Sequence, residues 1–154
     1  MRKIVILVVL FCLVAMIASI ANAGPAPNLT SVKIAGIGTD AAGNWITPVN
    51  HSIYPNKLSG DTLYLCVEFT GYPNWNLVFF YQNGSIISKS KLVNYKTTYM
   101  SNDGVIRGYI KYYSIPFAEL PSNTSGYLGQ FSVKANGIRS GIFQDHVNNV
   151  GIVD

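Results

Sequence analysis

Acid–base chemistry needs carboxylates or imidazoles brought together, and metal chemistry needs His, Cys and carboxylates at ligand spacing. The chain offers Asp40, Asp61, Glu68, Asp103, Glu119, Asp145, Asp154, His51 and His146. None stands in a G-x-S-x-G, H-E-x-x-H or S-x-x-K setting, and no calcium loop of the D-x-D-x-D-G kind occurs. Asp145-His146 is the one adjacent acid–imidazole pair. Neighbours on an extended strand point to opposite faces, so the two are expected to be a surface pair with no joint role. The expectation is therefore a non-enzymatic protein with no catalytic residues, no metal site and no cofactor.

Aromatic side chains are the more suggestive set. Trp45 in GNWIT, Tyr54 in IYPN, and Tyr72 with Trp75 in GYPNWN all stand among Asn, Gly and Pro, where loops or strand ends are expected. A rigid ring with an apolar face and a polar edge loses little entropy on binding and can stack on a sugar. These four are the candidate ligand-binding residues. The competing reading is that the rings fold down and close the open ends of a β domain. A second aromatic run, YIKYYSIPF over 109–117, puts Tyr109, Lys111 and Tyr113 on one face of a strand and Ile110 and Tyr112 on the other. With Lys89, Lys91, Lys96 and Arg107 nearby, it reads either as a basic aromatic surface for an anionic polymer or membrane, or as a solvated lysine face with Tyr contacts across strands. The second reading is preferred.

The elements that position these residues begin with an address. Residues 1–23 have Arg2 and Lys3 in front, an apolar run from Ile4, and Ala21-Asn22-Ala23 at the end, the layout of a cleaved secretory signal. The expected mature domain is 24–154, secreted or extracellular, or periplasmic in a Gram-negative host, with no membrane contact after cleavage. Without Arg2 and Lys3 the 11 basic residues become 9, against 7 acidic. That surplus is too small for a nucleic-acid footprint. Loss of Cys12 with the signal leaves Cys66 alone, so no disulfide within the chain is possible and the core must hold the fold. Cys66 is a candidate thiol for pairing between chains; the oligomeric state is not legible.

After residue 23, period-2 patterns, β-branched and aromatic residues, and Gly, Asn and Pro punctuation run to the end. The fold expected is all-β, a two-sheet antiparallel sandwich of about seven to nine strands. Strands are predicted near 30–37, 45–49, 61–70, 76–82, 85–93, 95–101, 104–115, 128–136 and 139–145, with a last piece near 149–153. Asn83-Gly84, Asp103-Gly104 and Asn136-Gly137 each predict a two-residue hairpin turn. Parity places Leu63, Leu65, Val67 and Phe69 inward, and Tyr64, Cys66 and Glu68 outward. Further on, Phe131, Val133 and Ala135 face inward. Sequons occur at Asn28, Asn50, Asn83 and Asn123.

The stretch GDTLYLCVEFTGYPNWNLVFFYQNG (60–84), with its corner at Gly71 and Pro73, and SGYLGQFSVKANG (125–137), with Gly129, Phe131, Val133 and Ala135, together resemble the B–C and F strands of the immunoglobulin-like superfamily. The resemblance covers roughly a third of the mature chain. It implies that Val67 and Val133 occupy the two disulfide positions, that Phe79 or Phe80 replaces the core tryptophan, and that Phe131 stands at the tyrosine corner without its hydroxyl. It implies a fold and not an activity. The function expected is a binding module for a carbohydrate or cell-surface partner. The alternatives are a structural or assembly protein that pairs through sheet edges or Cys66, and a small secreted effector.

Overall fold

The computed structural model describes residues 27–41, 58–120 and 127–151. Trp45, Tyr54, His51, Asn50, Asn123, the expected signal and the strand near 45–49 lie outside the described residues. Among the described residues eight strands are formed: β1 (Ser31–Thr39), β2 (Thr62–Thr70), β3 (Pro73–Gln82), β4 (Ser85–Ile87), β5 (Val93–Asn102), β6 (Val105–Pro116), β7 (Tyr127–Gly137) and β8 (Ile142–Gly151). These eight lie in two antiparallel sheets, in the orders β1-β2-β6-β5 and β4-β3-β7-β8. The chain is thus the all-β, two-sheet sandwich its periodicity predicts.

The core follows the alternation. Leu63, Leu65, Val67 and Phe69 of β2 are all buried, and they face Phe131, Val133 and Ala135 of β7 as members of one cluster. Each large apolar side chain so buried contributes about 1.5–3 kcal/mol. Both Val67 and Val133 are fully buried, and Phe80 points inward while Phe79 is only half-buried under the Lys89 ammonium.

Two of the three predicted turns form as expected. Asn83-Gly84 and Asp103-Gly104 have positive φ at both residues, 49° and 81° in the first, 50° and 74° in the second. This is the twist that joins β3 to β4 and β5 to β6. The third does not form at Asn136-Gly137. There β7 runs on through Gly137, and the reversal falls on the next residues, where the Gly137 N–H donates to the Gly141 carbonyl at 3.1 Å. The pairing of Ala135 with Phe143 and Asn136 with Ile142 carries the ladder past the dipeptide. Two other boundaries also differ. The predicted strand 85–93 is the three-residue β4 followed by a 3-10 turn at Lys89–Lys91, and the two pieces near 139–145 and 149–153 are one strand, β8.

Asn83 does more than turn. Its Oδ1 accepts from the Gln130 N–H at 2.8 Å and its Nδ2 donates to the Leu128 carbonyl at 3.1 Å. Gly129 lies between them with φ 83°, and a Cβ there would fall on the Asn83 amide. The amide of this sequon is therefore engaged in the fold, whereas Asn28 is exposed.

The two sheets are tied along the edge where β1 meets β8. A bulge between Ile34 and Gly36 shifts the β1–β2 register. The Ile34 N–H is left to donate to Asp145 Oδ2 of β8 at 2.7 Å, and Asp145 is only 7 % exposed. His146, its neighbour in the chain, is exposed, so the two do not make the surface pair expected from sequence: Asp145 is buried by its bond across the sheets. Asp145→Ala strands a buried donor on the neighbouring sheet; it is expected to lower unfolding free energy by about 1–3 kcal/mol. Urea denaturation at unchanged m-value checks this, and a loss below the fitting error would show the bond to be dispensable.

Candidate functional site

Tyr72 and Trp75 are brought together, and two tyrosines that no loop signal marked complete the patch. A positive φ of 92° at Gly71 takes the chain from β2 in one sheet to β3 in the other, and the Asn28 carbonyl lies where a Cβ would be. The crossing delivers Tyr72 beside Tyr109 of β6, ring centroids 5.1 Å apart. Trp75 is not on a loop: it belongs to β3, in a stretch where β3 takes five steps from Pro73 to Val78 while β7 takes two from Gly137 to Ala135. The surplus residues bulge away from β7 and carry the indole toward the opposing sheet. There it packs edge-to-face on Phe69 and on Tyr109, both at 5.2 Å. Tyr99 of β5 meets Tyr109 from the far side at 5.7 Å and is 58 % exposed.

The bulge is held by two polar devices. The Asn74 Oδ1 accepts from the Asn76 N–H at 3.2 Å, and Lys89 Nζ donates to the carbonyls of Trp75 and Asn76 at 3.3 and 2.9 Å. The 3-10 turn that replaces the second half of the predicted strand brings Lys89 into reach. Burial of the indole edge against Phe69 and fixation of its backbone by Lys89 act on the same few residues.

Lys111 is the unexpected member. In the β2–β6 pairing, Phe69 faces Tyr109, Val67 faces Lys111 and Leu65 faces Tyr113. Lys111 therefore stands on the inner face of the sandwich, not on a solvated lysine face. Its ammonium lies 3.8 Å from the centroid of the Trp75 ring, and burial pushes its pKa below the usual lysine range. Beside it, between the sheets on the side away from β1 and β8, is a cleft of about 200 Å³. Val78, Phe80 and Leu92 make its apolar lining, Trp75 and Tyr113 its aromatic walls, and Lys89, Lys111 and Asn94 its polar rim. The hydroxyl of Tyr113 bonds to Asn94, whose Oδ1 in turn accepts from the Thr97 hydroxyl at 3.3 Å. The remaining basic residues go elsewhere. Lys91 pairs with Glu119 at 2.9 Å in an exposed contact worth about 0–1 kcal/mol, and Lys96 lies over Tyr112 on the outer face.

Cys66 lies apart from this patch. It faces outward as parity requires, but it is covered: Tyr112 stands directly opposite on β6 and bonds to the thiol. Tyr95, the extra residue in a β5 bulge between Asn94 and Lys96, reaches over to Tyr64 and Tyr112 at 5.6 and 6.2 Å. Burial first, and then the charge of Glu68, push the thiol pKa up, outweighing the Tyr112 bond. A covered, protonated thiol is poorly placed for the pairing between chains considered from sequence. Among the described residues no group of three or more His, Cys, Asp and Glu could hold a metal.

Residues 24–150 match the family described as "Domain of unknown function (DUF4879)", and the chain belongs to that family. No curated protein matches the chain.

Two outcomes follow from these environments. Cys66 is expected to react with a thiol reagent at least tenfold slower in the folded protein than after unfolding, and Tyr112→Ala to remove most of the difference; equal rates would place the thiol at the surface. Tyr113 is pushed up to about 12 by burial. The unfolded chain thus loses its proton near pH 10 while the folded chain keeps it, so stability is complete below pH 10 and falls as pH rises from there toward 12. Tyr113→Phe is expected to flatten that alkaline loss in thermal melts at pH 9, 10 and 11, and an unchanged slope would assign it to other groups.

Proposed function

We propose that this protein is a secreted, non-catalytic binding module, built as an immunoglobulin-like sandwich, that recognises carbohydrate on a cell-surface or extracellular partner. The strand order supports the fold part of that reading. With β1 to β8 taken as A, B, C, C′, D, E, F and G, the sheets run A-B-E-D and C′-C-F-G, the arrangement of such domains with one additional edge strand. Phe80 then stands in for the core tryptophan, and Val67 with Val133 for the disulfide. Secretion rests on the signal-like residues 1–23.

One observation carries the binding part: Tyr72, Trp75, Tyr99 and Tyr109 form a continuous edge-to-face cluster beside an open cleft. Rings fixed by one another lose little entropy when a ligand arrives, and the exposed Tyr99 has surface to spare for stacking. Trp75 is the hinge between cluster and core, so its own substitution reads stability as much as binding. Tyr99 is the cleaner probe.

A glycan array with the 24–154 chain is expected to retain a defined glycan subset. Tyr99→Ala is expected to weaken that retention about tenfold while shifting unfolding free energy by less than about 0.5 kcal/mol. No retained glycan, or wild-type binding by the variant, would sink the reading.

A further inference from the structure

We propose that the cleft between β3 and β6 receives the carboxylate of an acidic sugar residue, with Lys111 as its principal cationic donor and Lys89 and Tyr113 beside it. The proposal rests on the carbohydrate-binding reading and adds the chemical class of the sugar.

The lining contains donors and no carboxylate. Lys89, Lys111 and Tyr113, all able to donate hydrogen bonds, line the cleft, and the Tyr113 hydroxyl bonds to Asn94. The ion pair of Lys91 with Glu119 lies outside the lining of this cleft, and the Lys111 ammonium rests against the Trp75 ring. A cation held on the inner face of a sandwich carries a desolvation penalty that an aromatic face offsets in part. An entering anion would offset the rest, because a charge-assisted hydrogen bond is about twice as strong as a neutral one.

The shape and charge narrow the ligand. At about 200 Å³ the cleft is smaller than the usual whole-ligand pocket, which begins near ~300 Å³, so it fits one terminal residue. Lys89 already gives hydrogens to two backbone carbonyls. The free donor capacity therefore suits a monoanion rather than a doubly charged phosphate. Val78, Leu92 and the indole edge supply apolar surface for the C–H side of a sugar ring, leading out to the Tyr72, Tyr109 and Tyr99 cluster for the residues that follow.

The test titrates the 24–154 chain by calorimetry, at fixed ionic strength, with a uronic acid oligosaccharide, with the same oligosaccharide after its carboxyls are reduced to hydroxymethyl groups, and with sodium sulfate as competitor. The expected result is binding of the uronate form at least tenfold tighter than the reduced form, weak competition by sulfate, and a loss of at least tenfold in Lys111→Met, with Lys111→Arg retaining part of the affinity. Near-UV circular dichroism of the variants shows whether the Trp75 packing survives; should Lys111→Met perturb it, side-chain ammonium NMR of Lys111 in the native protein gives the same answer by its shift on titration. Equal affinity for both oligosaccharides would overturn the acidic class and leave the binding module standing. Sulfate as effective as uronate would show a site that reads charge alone and overturn the sugar assignment. No uronate binding, together with retention of neutral glycans on the array, would overturn the inference alone, and silence in both would overturn the module as well.

Discussion

Strand β6 must turn every second side chain between the sheets, and its register against β2 leaves no choice of which. Ile115, Tyr113, Lys111 and Tyr109 all point inward, opposite Leu63, Leu65, Val67 and Phe69. The first two are covered, Ile115 fully and Tyr113 nearly so. The last two emerge where the sandwich opens, and there an ammonium and a phenol take places that an ordinary core would fill with apolar volume. A slip of one residue would put Lys111 in water and Ile110 inside. The core holds the register, and the register holds the site.

Bulges do most of the local work. One in β1 frees the Ile34 N–H for Asp145 and closes one long edge of the sandwich. One in β5 swings Tyr95 over Tyr64 and Tyr112 and covers Cys66. The widest, in β3, carries Trp75 across the gap to Phe69, Tyr109 and Lys111. In β5 and β3 the extra residues re-aim a side chain that regular pairing would have sent elsewhere, and in β1 the bulge frees a backbone donor. The asymmetry between the two long edges of the sandwich follows from this. Where β1 and β8 meet, a buried carboxylate ties the sheets; on the other side the short β4 and the 3-10 turn at Lys89–Lys91 leave a cleft.

Much of the fold was legible because alternation and turn chemistry are local. The inward faces of β2 and β7, the outward Cys66, and the Asn83-Gly84 and Asp103-Gly104 turns could be read directly. Asn136-Gly137 misled because the same dipeptide can sit at the end of a strand when the partner strand continues to pair with it. The site was half legible. Tyr72 and Trp75 were marked by their Asn, Gly and Pro surroundings, and Tyr109, Lys111 and Tyr113 were grouped correctly on one face. That this face is the inner one was missed, although Tyr113 and Ile115, two apolar members of the same parity, carried the signal.

Sequence alone determined what depends on neighbours along the chain: strand character, which residues alternate together, and where the chain can reverse. Tertiary structure decided what depends on partners across it. The pairing of β2 with β6 chose the inner face for Lys111, the crossing at Gly71 set Tyr72 against Tyr109, and the five-against-two mismatch in β3 brought Trp75 beneath an ammonium from the other sheet. Those contacts join residues more than thirty positions apart, for example Trp75 with Tyr109 and Lys111. No periodicity of a single strand encodes them, because the packing of one sheet on the other is settled by side-chain volume and bulge placement throughout the core.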